Sequence, residues 1–202
     1  NATPIARSAQ VTFLAGALLQ RVQVTQVNVG TAIGWGSDYY DESTPPAGLT
    51  DAVVVAAGNY HSLALKSNGS VVAWGDNWSG QGDVPIGLAG VVALAAGSAH
   101  SVALTSDGTV VAWGDDWSGQ CDVPSGLANA IAISSGSYHT LALTSDGRVV
   151  AWGENWDAQC DVPSSLAKAK AVAAGAYHSI ALTSDGRVVA WGWNDSGQCD
   201  VP

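Results

Sequence analysis

A 39-residue period constrains the fold of this sequence more than any other feature. Tryptophan, histidine and proline recur at this interval, at Trp35, Trp74, Trp113, Trp152 and Trp191, at His61, His100, His139 and His178, and at Pro46, Pro85, Pro124, Pro163 and Pro202. Such self-similarity is typical of repeat architectures, in which each unit buries its apolar surface against its neighbours. The 202 residues therefore divide into five units, at about 3–46, 47–85, 86–124, 125–163 and 164–202, which we expect to form a single domain over 1–202.

Each unit is predicted to contain four short strands and no helix. In the unit 86–124, the segment 91–96 is continuously apolar, 101–105 is apolar on alternate positions and 109–113 is rich in valine. Ser-Asp-Gly separates the second segment from the third, and we expect a tight primed hairpin turn there, because Asp and Gly tolerate positive φ. The stretch ending in Asp-Val-Pro is predicted to be a fourth strand at the outer edge, where proline is tolerated. This pattern predicts an all-β fold, a β-propeller of four-stranded blades.

Side-chain sizes also suit a propeller. Small residues such as Ala96 and Gly97 end the first strand, where blades crowd the central channel, and the tryptophan of the third strand would fill the wider space between blades. The first unit is degenerate, because only Ile33 to Gly36 keeps the motif.

Three strings carry a family resemblance. AAGNYHSLAL, VVAWGDNWSGQ and TSDGRVVAWG resemble the repeats of the regulator of chromosome condensation family. The compact unit is most similar to the bacterial propeller-type β-lactamase inhibitor proteins. The resemblance is strong from Asp51 onward, and it implies a propeller, which has seven blades in known members. The five units either close a ring themselves or belong to a larger ring; ends in phase with the repeat favour a segment of a longer protein.

Charge excludes several classes of partner. Seven Lys and Arg residues against 17 Asp and Glu give a net charge of −10, and the basic residues are scattered. We therefore expect no nucleic-acid partner and, since no apolar stretch is long enough, no membrane insertion. The absence of Met, the acidity and the resemblance to bacterial secreted proteins favour an extracellular or cell-surface location for a processed chain or a piece of a longer one.

The residues that could carry chemistry are better explained by structure. A histidine copied into every blade is expected to form a hydrogen bond with backbone in a neighbouring loop, and equivalent positions around a ring cannot converge on one metal. Ser and His are adjacent on a strand and so point to opposite faces, while the Asp-Gly turn lies at the far end, which argues against a hydrolytic triad. We therefore predict no enzyme activity, no metal and no cofactor. Cys121, Cys160 and Cys199 are expected to be partly buried free thiols, with an intermolecular disulfide as the alternative.

A second class of aromatic residues lies in loops rather than strands. The first-to-second and third-to-fourth connections of a meander lie at the same end, so their side chains should share a face. This face collects the predicted binding residues Tyr60, Asp76, Trp78, Asp115, Asp116, Trp117, Tyr138, Glu154, Trp156, Tyr177 and Trp193, with Asp157 adding to the charge. Exposed aromatic groups beside polar ones are typical of recognition sites.

Several binding functions fit this face. The first hypothesis is a non-enzymatic propeller that recognises a protein partner. A glycan ligand, held by stacking on Trp and Tyr, is an alternative, as are a structural repeat of a cell-surface or filament assembly, including a homo-oligomer, and an inhibitor of a β-lactamase or related enzyme. Because the units are nearly identical, a repetitive ligand or self-assembly is favoured over a single asymmetric target.

Overall fold

The computed structural model describes residues 7–15, 18–26 and 30–202, with side chains for the last range, and is all-β over these ranges. The strands are β1 (Arg7–Ala15), β2 (Leu18–Gln26), β3 (Ala52–Ala57), β4 (His61–Lys66), β5 (Val71–Gly75), β6 (Val91–Ala96), β7 (His100–Thr105), β8 (Val110–Gly114), β9 (Ala130–Ser135), β10 (His139–Thr144), β11 (Val149–Gly153), β12 (Ala169–Ala174), β13 (His178–Thr183) and β14 (Val188–Gly192). The part of the chain so described contains no helix that could span a membrane.

Strands β3 to β14 form four antiparallel sheets of identical topology. Each sheet is a three-stranded meander with the histidine-bearing strand in the centre, in the orders β3-β4-β5, β6-β7-β8, β9-β10-β11 and β12-β13-β14. The register is equivalent in each, so that His61 lies opposite Gly75 and His100 opposite Gly114. These four sheets are the blades of a β-propeller, as the repeat predicts.

The predicted fourth strand is wrong. In each of the four blades, the segment after the third strand is a series of tight turns. In the first blade, the backbone N–H of Gly80 donates to the carbonyl of Asn77 at 3.2 Å, and that of Asp83 donates to the carbonyl of Gly80 at 3.0 Å. Gly80 has a φ of 77°, which ends any extended run. Local hydrogen bonds thus replace the ladder that a fourth strand needs, and each blade has three strands.

The turn between the second and third strands also differs from its prediction. Gly108 has a φ of 84°, whereas Asp107 is not in the left-handed region. The N–H of Gly108 donates to the carbonyl of Thr105 at 3.0 Å, and the N–H of Thr105 donates to that of Thr109 at 2.9 Å. This is the longer hairpin that ends on a left-handed glycine, not a primed turn. The Asp107 carboxylate accepts from the Thr105 hydroxyl at 2.6 Å, so aspartate caps the turn with its side chain.

The apolar core lies between blades rather than within one. Leu63 and Leu65 of the first blade pack with Ala103 and Trp113 of the second, and the same arrangement repeats at the next two junctions. The third-strand tryptophans thus fill the space between blades, as predicted, and they are buried at Trp113, Trp152 and Trp191 and partly buried at Trp74. Trp35 is 40% exposed, which corrects its prediction as a core residue. Each buried tryptophan packs on the preceding unit, as Trp113 packs with Leu63 and Leu65.

A polar chain also joins neighbouring blades. Ser101 of the second blade donates its hydroxyl to the carbonyl of Gln81 in the preceding loop at 2.8 Å, and Trp113 donates its indole N–H to the same carbonyl at 2.9 Å. His61 of the first blade has its Nε2 2.9 Å from the hydroxyl of Ser101. The copies at the next junctions use His100 with Thr140 and His139 with Ser179. The histidines are therefore structural, as predicted, although their partner is a side-chain hydroxyl rather than backbone.

Neighbouring blades crowd each other where the first strands end in small residues, as those residues predict. A Cβ added to Gly97 would lie 2.7 Å from the carbonyl oxygen of Gly136 in the next blade and 2.1 Å from Cε1 of His100. Backbone bonds also cross this junction, since the N–H of Ser98 donates to the carbonyl of Ser137 at 3.0 Å. Glycine is required here because neighbouring backbones approach closely.

The first unit is built differently from the four blades. Its strands β1 and β2 are nine residues each and pair with each other in a two-stranded hairpin, from Arg7 opposite Gln26 to Ala15 opposite Leu18. The recognisable motif Ile33 to Gly36 forms no strand. The prediction that this unit is degenerate is confirmed.

Candidate functional site: the aromatic and acidic loop face

Two loops of each blade meet at one end of its sheet. We call the connection between the first and second strands the short loop and the segment after the third strand the long loop. The long loop begins with a backbone hydrogen bond to the short loop: the N–H of Asp76 donates to the carbonyl of Tyr60 at 2.8 Å, and that of Glu154 donates to Tyr138 at 2.9 Å. The strand-direction argument is thus correct, and we call this end the loop face. The opposite end, with the Ser-Asp-Gly turns, is the turn face.

The long loops expose their tryptophans. Trp78, Trp117 and Trp156 are 92%, 90% and 85% exposed, whereas Trp193 is 36% exposed. Exposure of several large aromatic groups on one side of a folded domain is unusual and marks a surface that other molecules contact.

Most of the predicted binding residues line one cleft, with a volume of about 670 Å³. Its lining comprises Asp115, Trp117, Ser118, Tyr138, Glu154, Trp156, Asp157, Tyr177 and Trp193. The rings of Tyr138 and Tyr177 lie 6.4 Å apart, and Tyr177 meets Trp193 edge-on at 6.1 Å. Residues from three blades thus build one concave aromatic site. Sequence analysis missed Ser118, although it directly follows Trp117.

Four predicted residues lie outside the cleft. Tyr60, Asp76 and Trp78 belong to the first blade, where Tyr60 contacts Tyr40 of the first unit edge-on at 5.7 Å. Sequence analysis also missed Tyr39 and Tyr40, which are both exposed. The period could have identified Tyr39, because it lies 39 residues before Trp78.

Asp116 is the fourth such residue, and its carboxylate faces its own loop. Its Oδ1 accepts the N–H of Cys121 at 2.8 Å. The other blades have asparagine at this position, and that asparagine also donates to an aspartate: Asn77 Nδ2 lies 2.9 Å from Asp83 Oδ1. A carboxylate cannot make this second bond, so Asp116 and Asp122 oppose each other as like charges.

Buried glutamines hold the long loops in shape. Gln81, Gln120 and Gln159 have no exposed surface. Gln120 donates its amide to Asp115 Oδ2 at 2.7 Å and accepts the N–H of Ser118 at 2.9 Å. Asp76 and Glu154 accept from their own glutamines at 2.9 and 3.4 Å. These carboxylates therefore brace the loop as well as adding charge. Sequence analysis missed the glutamines, whose 39-residue repetition was the available signal.

The long loop of the third blade departs from the others inside the cleft. Asp157 and Ala158 replace the Ser-Gly pair of the neighbouring loops. Ala158 has a φ of 61°, a conformation that the other blades give to glycine at Gly80, Gly119 and Gly197. An alanine in this region carries strain, so a locally unfavourable residue directly follows Asp157, which lines the cleft.

The electrostatics of the cleft are negative. Burial and the nearby Asp157 carboxylate raise the pKa of Glu154. Burial also raises the pKa of Tyr177, with contributions from Tyr138, Glu154 and Asp157. In residues 30–202 every basic side chain lies on the turn face: Lys66, Arg148, Lys168, Lys170 and Arg187. No protein cation in that range neutralises the cleft.

The family follows from a sequence profile. The profile described as "Regulator of chromosome condensation (RCC1) repeat" matches residues 52–81, 91–120, 130–157 and 169–198, more than half of the chain. The chain belongs to the RCC1 repeat family. Each match covers the three strands of one blade. Three matches end at the glutamine position of the long loop, and the match over 130–157 ends in the loop before it. No curated protein matches the sequence.

Several solved structures share the fold of this chain at low sequence identity. Human WBSCR16 aligns with a TM-score of 0.73 at 20% identity over 86% of this chain and 60% of its own. Prp20p from Saccharomyces cerevisiae aligns with a TM-score of 0.74 at 22% identity over 87% and 57%. The ectodomain of the Physcomitrella patens receptor kinase CR4 aligns with a TM-score of 0.74 at 26% identity over 90% and 52%. The chain thus spans between half and three fifths of these propellers.

The Ser and His residues of these RCC1 repeats are not arranged for nucleophilic catalysis. The contact between His61 and Ser101 is within the range of a catalytic pair, but both residues are buried. Because the Ser101 hydroxyl donates its hydrogen to the Gln81 carbonyl, His61 must donate to Ser101 and cannot act as its base. Nδ1 of His61 has no partner, so no carboxylate orients the ring.

The cysteines of the RCC1 repeats form no disulfide within the described residues, and they are partly buried, as predicted. The thiol of Cys121 contacts the carbonyl of Asp115 at 3.2 Å, and Cys160 makes the same contact with Glu154. Burial and nearby carboxylates raise the pKa of both thiols to about 12, which makes them poor nucleophiles. Residues 7–15, 18–26 and 30–202 contain no group of three or more His, Cys, Asp or Glu side chains that could hold a metal ion.

Proposed function

We propose that this RCC1 repeat protein is a non-enzymatic binding module that holds a protein partner in the cleft of its loop face. The observation that carries the proposal is the convergence of five aromatic residues from three blades on one concave site: Trp117, Tyr138, Trp156, Tyr177 and Trp193. Binding energy in protein interfaces is concentrated in such aromatic groups, set in depressions and surrounded by polar residues. RCC1 propellers are typically interaction modules, and the Prp20p structure is described with its binding to Gsp1p and histones.

The near-identical units favour a repetitive ligand, but several residues that line the cleft differ between blades, and this asymmetry favours one specific partner. The short loop of the second blade has Ala99 where the cleft has Tyr138 and Tyr177. Asp157 and Trp193 also depart from the repeat at positions that line the cleft. Because a symmetric ligand would select identical residues on every blade, these departures indicate a site for a single asymmetric surface.

The experiment compares partner capture by matched variants. The wild-type chain, a Trp117→Ala/Trp156→Ala variant and a Trp78→Ala control are immobilised, and retained proteins from the source cells are identified, then purified and titrated by calorimetry. We expect one protein to bind wild type and the Trp78→Ala control, with at least a hundredfold weaker binding to the double variant, since aromatic hot spots contribute about 2 kcal/mol or more each.

Two results would overturn the proposal. Equal binding by the double variant would place the interface elsewhere on the molecule. A glycan array that shows binding dependent on Trp117 and Trp156, without a protein that depends on them, would instead identify a lectin. Tryptophan and tyrosine also stack on sugar rings, so both assays use the same variants and the same control.

A further inference from the structure

The two ends of the propeller differ in charge. Of the 17 acidic residues, only Asp51, Asp107, Asp146 and Asp185 lie on the turn face, which also holds the basic residues of 30–202. There the charges pair internally, as in the ion pairs Lys66 with Asp51 at 3.4 Å and Arg187 with Asp185 at 2.8 Å. In the part of the chain with described side chains, the loop face has no such cation to pair with its carboxylates.

Two carboxylates of the cleft have spare bonding capacity. Glu154 is one methylene longer than its counterparts Asp76 and Asp115, and its contact with Gln159 is 3.4 Å, against 2.7 Å between Asp115 and Gln120. Asp157 accepts no hydrogen bond and forms no ion pair within the described residues; only its backbone N–H is engaged, with Gln159. Both carboxylates line the cleft, and burial together with the nearby Asp157 carboxylate raises the pKa of Glu154.

The aromatic residues present ring faces beside these carboxylates. Trp117 and Trp156 are almost fully exposed, so both faces of each indole are open to a ligand. Tyr177 and Trp193 meet edge to face, so one of the two rings presents a face to its partner. The opposite face of that ring points away from the contact. A cation within about 6 Å of a ring centroid is attracted by the negative face of the ring, most strongly for tryptophan. Ring faces and unpaired carboxylates together form a site for a cation.

We propose that the cleft takes up a lysine or arginine side chain from a basic segment of the protein partner, with Trp117 and Trp156 as walls and Glu154 and Asp157 as counter-charges. This inference rests on the proposed function and specifies the chemistry of the partner. A neutral surface would leave the two carboxylates unpaired, and an acidic one would be repelled by them. Electrostatic complementarity of this kind favours encounter with the correct partner and disfavours others.

The test uses a defined peptide and the indole N–H signals of the protein in nuclear magnetic resonance. The probe is the peptide acetyl-Gly-Lys-Gly-Lys-Gly-Lys-Gly-amide, and its Nε-acetylated form is the matched neutral peptide. We expect the lysine peptide to shift the indole signals of Trp117, Trp156 and Trp193, with Trp78 as an unmoved internal reference. The acetylated peptide should leave all four signals in place.

Variants separate a specific site from general attraction to an acidic surface. Glu154→Gln/Asp157→Asn should weaken peptide binding at least tenfold. Asp122→Asn/Asp195→Asn removes the same charge outside the cleft lining and should change binding less than twofold. The dispersed indole signals of the buried tryptophans show in each case that the variant is folded.

Three outcomes would overturn the inference. They are no shift with the lysine peptide at about 10 mM, which would put the Kd above the millimolar range, equal shifts with the acetylated peptide, and equal weakening by the control variant. The inference and the proposed function can fail separately. If the captured partner binds Glu154→Gln/Asp157→Asn as it binds wild type but loses affinity for Trp117→Ala/Trp156→Ala, the cleft is the interface and its ligand is not a cation. If both variants bind normally, the proposed function fails.

Discussion

The Nε2 atom of His61 lies 2.9 Å from the hydroxyl oxygen of Ser101 in the next blade, and the histidine is the donor. The hydroxyl is committed to the Gln81 carbonyl, so the imidazole carries a hydrogen on Nε2, and burial with no hydrogen-bond partner for Nδ1 keeps the ring neutral. Because the same arrangement recurs at His100 and His139, three blade junctions depend on neutral histidines. A protonated ring at His100 or His139 would be a buried charge with no carboxylate beside it, and at His61 the Asp76 carboxylate offsets only part of the cost of burial.

This requirement predicts a loss of stability at mildly acidic pH. Burial lowers the pKa of His61 and His139 to about 4 and that of His100 to about 3. Below pH 6.5 the unfolded chain therefore binds protons that the folded chain refuses. The free energy of unfolding is at its full value above pH 6.5 and falls as the pH drops toward 4, by about 2 kcal/mol per histidine at pH 5. Urea unfolding at pH 7.5, 6.0 and 5.0 measures this slope.

A variant checks the origin of the slope. His100→Gln keeps a donor near Thr140 and should remove about one third of the pH dependence that His61, His100 and His139 contribute between pH 7.5 and 5.0. His178, whose pKa burial also lowers, adds its share in wild type and variant alike. The turn aspartates Asp107, Asp146 and Asp185 have pKa values lowered by hydrogen bonds, so they protonate only below this window. An unfolding midpoint that stays constant from pH 7.5 to 5.0 would show that the histidines are not held neutral.

Gly97→Ala should be among the most damaging small substitutions in the chain. The added methyl would lie 2.1 Å from a ring atom of His100 and 2.7 Å from the Gly136 carbonyl, and backbone of the next blade cannot move aside cheaply. We expect a loss of at least about 2 kcal/mol in the free energy of unfolding, measured by urea denaturation. Gly82→Ala is the matched control, because Cys121, Cys160 and Cys199 occupy its position in the other blades. Similar losses for both variants would contradict blade crowding as the cause.

The features that every unit repeats could be predicted from the sequence. The period predicts where the blades lie, that Trp113 packs between blades, and that the short and long loops meet at one end. These features can be predicted because the same residues, and so the same interactions, recur in each unit. The prediction of a fourth strand is wrong because Asp-Val-Pro also suits an extended edge strand. Local hydrogen bonds of Asn77 and Gly80 instead determine the conformation of this segment. Sequence pattern does not reveal such a competition between a ladder and side-chain bonds.

The cleft depends on departures from the repeat, and its shape could be predicted only in part. Strand direction placed Tyr138 and Trp156 on one face, which the structure confirms. The sequence did not show that Trp117 of the preceding blade shares their cleft, because that depends on the angle and spacing between blades. Likewise, nothing in the pattern separates Asp116, which bonds within its loop, from Asp157, whose carboxylate is free of protein partners in the described residues.

Asp116→Asn should stabilise the second blade. Asparagine at this position would restore the amide-to-carboxylate bond that the other loops make, as between Asn155 and Asp161 at 2.8 Å, and would remove the repulsion with Asp122. The bond lies at the surface, so we expect a gain of about 0.5–1 kcal/mol in the free energy of unfolding at pH 7. The reverse change Asn77→Asp should cost a similar amount. A neutral or destabilising Asp116→Asn would mean that this carboxylate has a compensating partner.

Ala158→Gly should also stabilise the chain, because it relieves a left-handed alanine. The φ of 61° at Ala158 matches 73° at Gly119 and 74° at Gly197, and glycine adopts this conformation without a Cβ penalty. We expect a gain of about 0.5–1 kcal/mol by urea denaturation, and a comparable loss for the matched change Gly119→Ala. The alanine also restricts the loop that carries Trp156 and Asp157. If this restriction serves binding, Ala158→Gly will lower the affinity for the lysine peptide while it raises the free energy of unfolding. A loss of stability in Ala158→Gly would show that the loop is not strained at this residue.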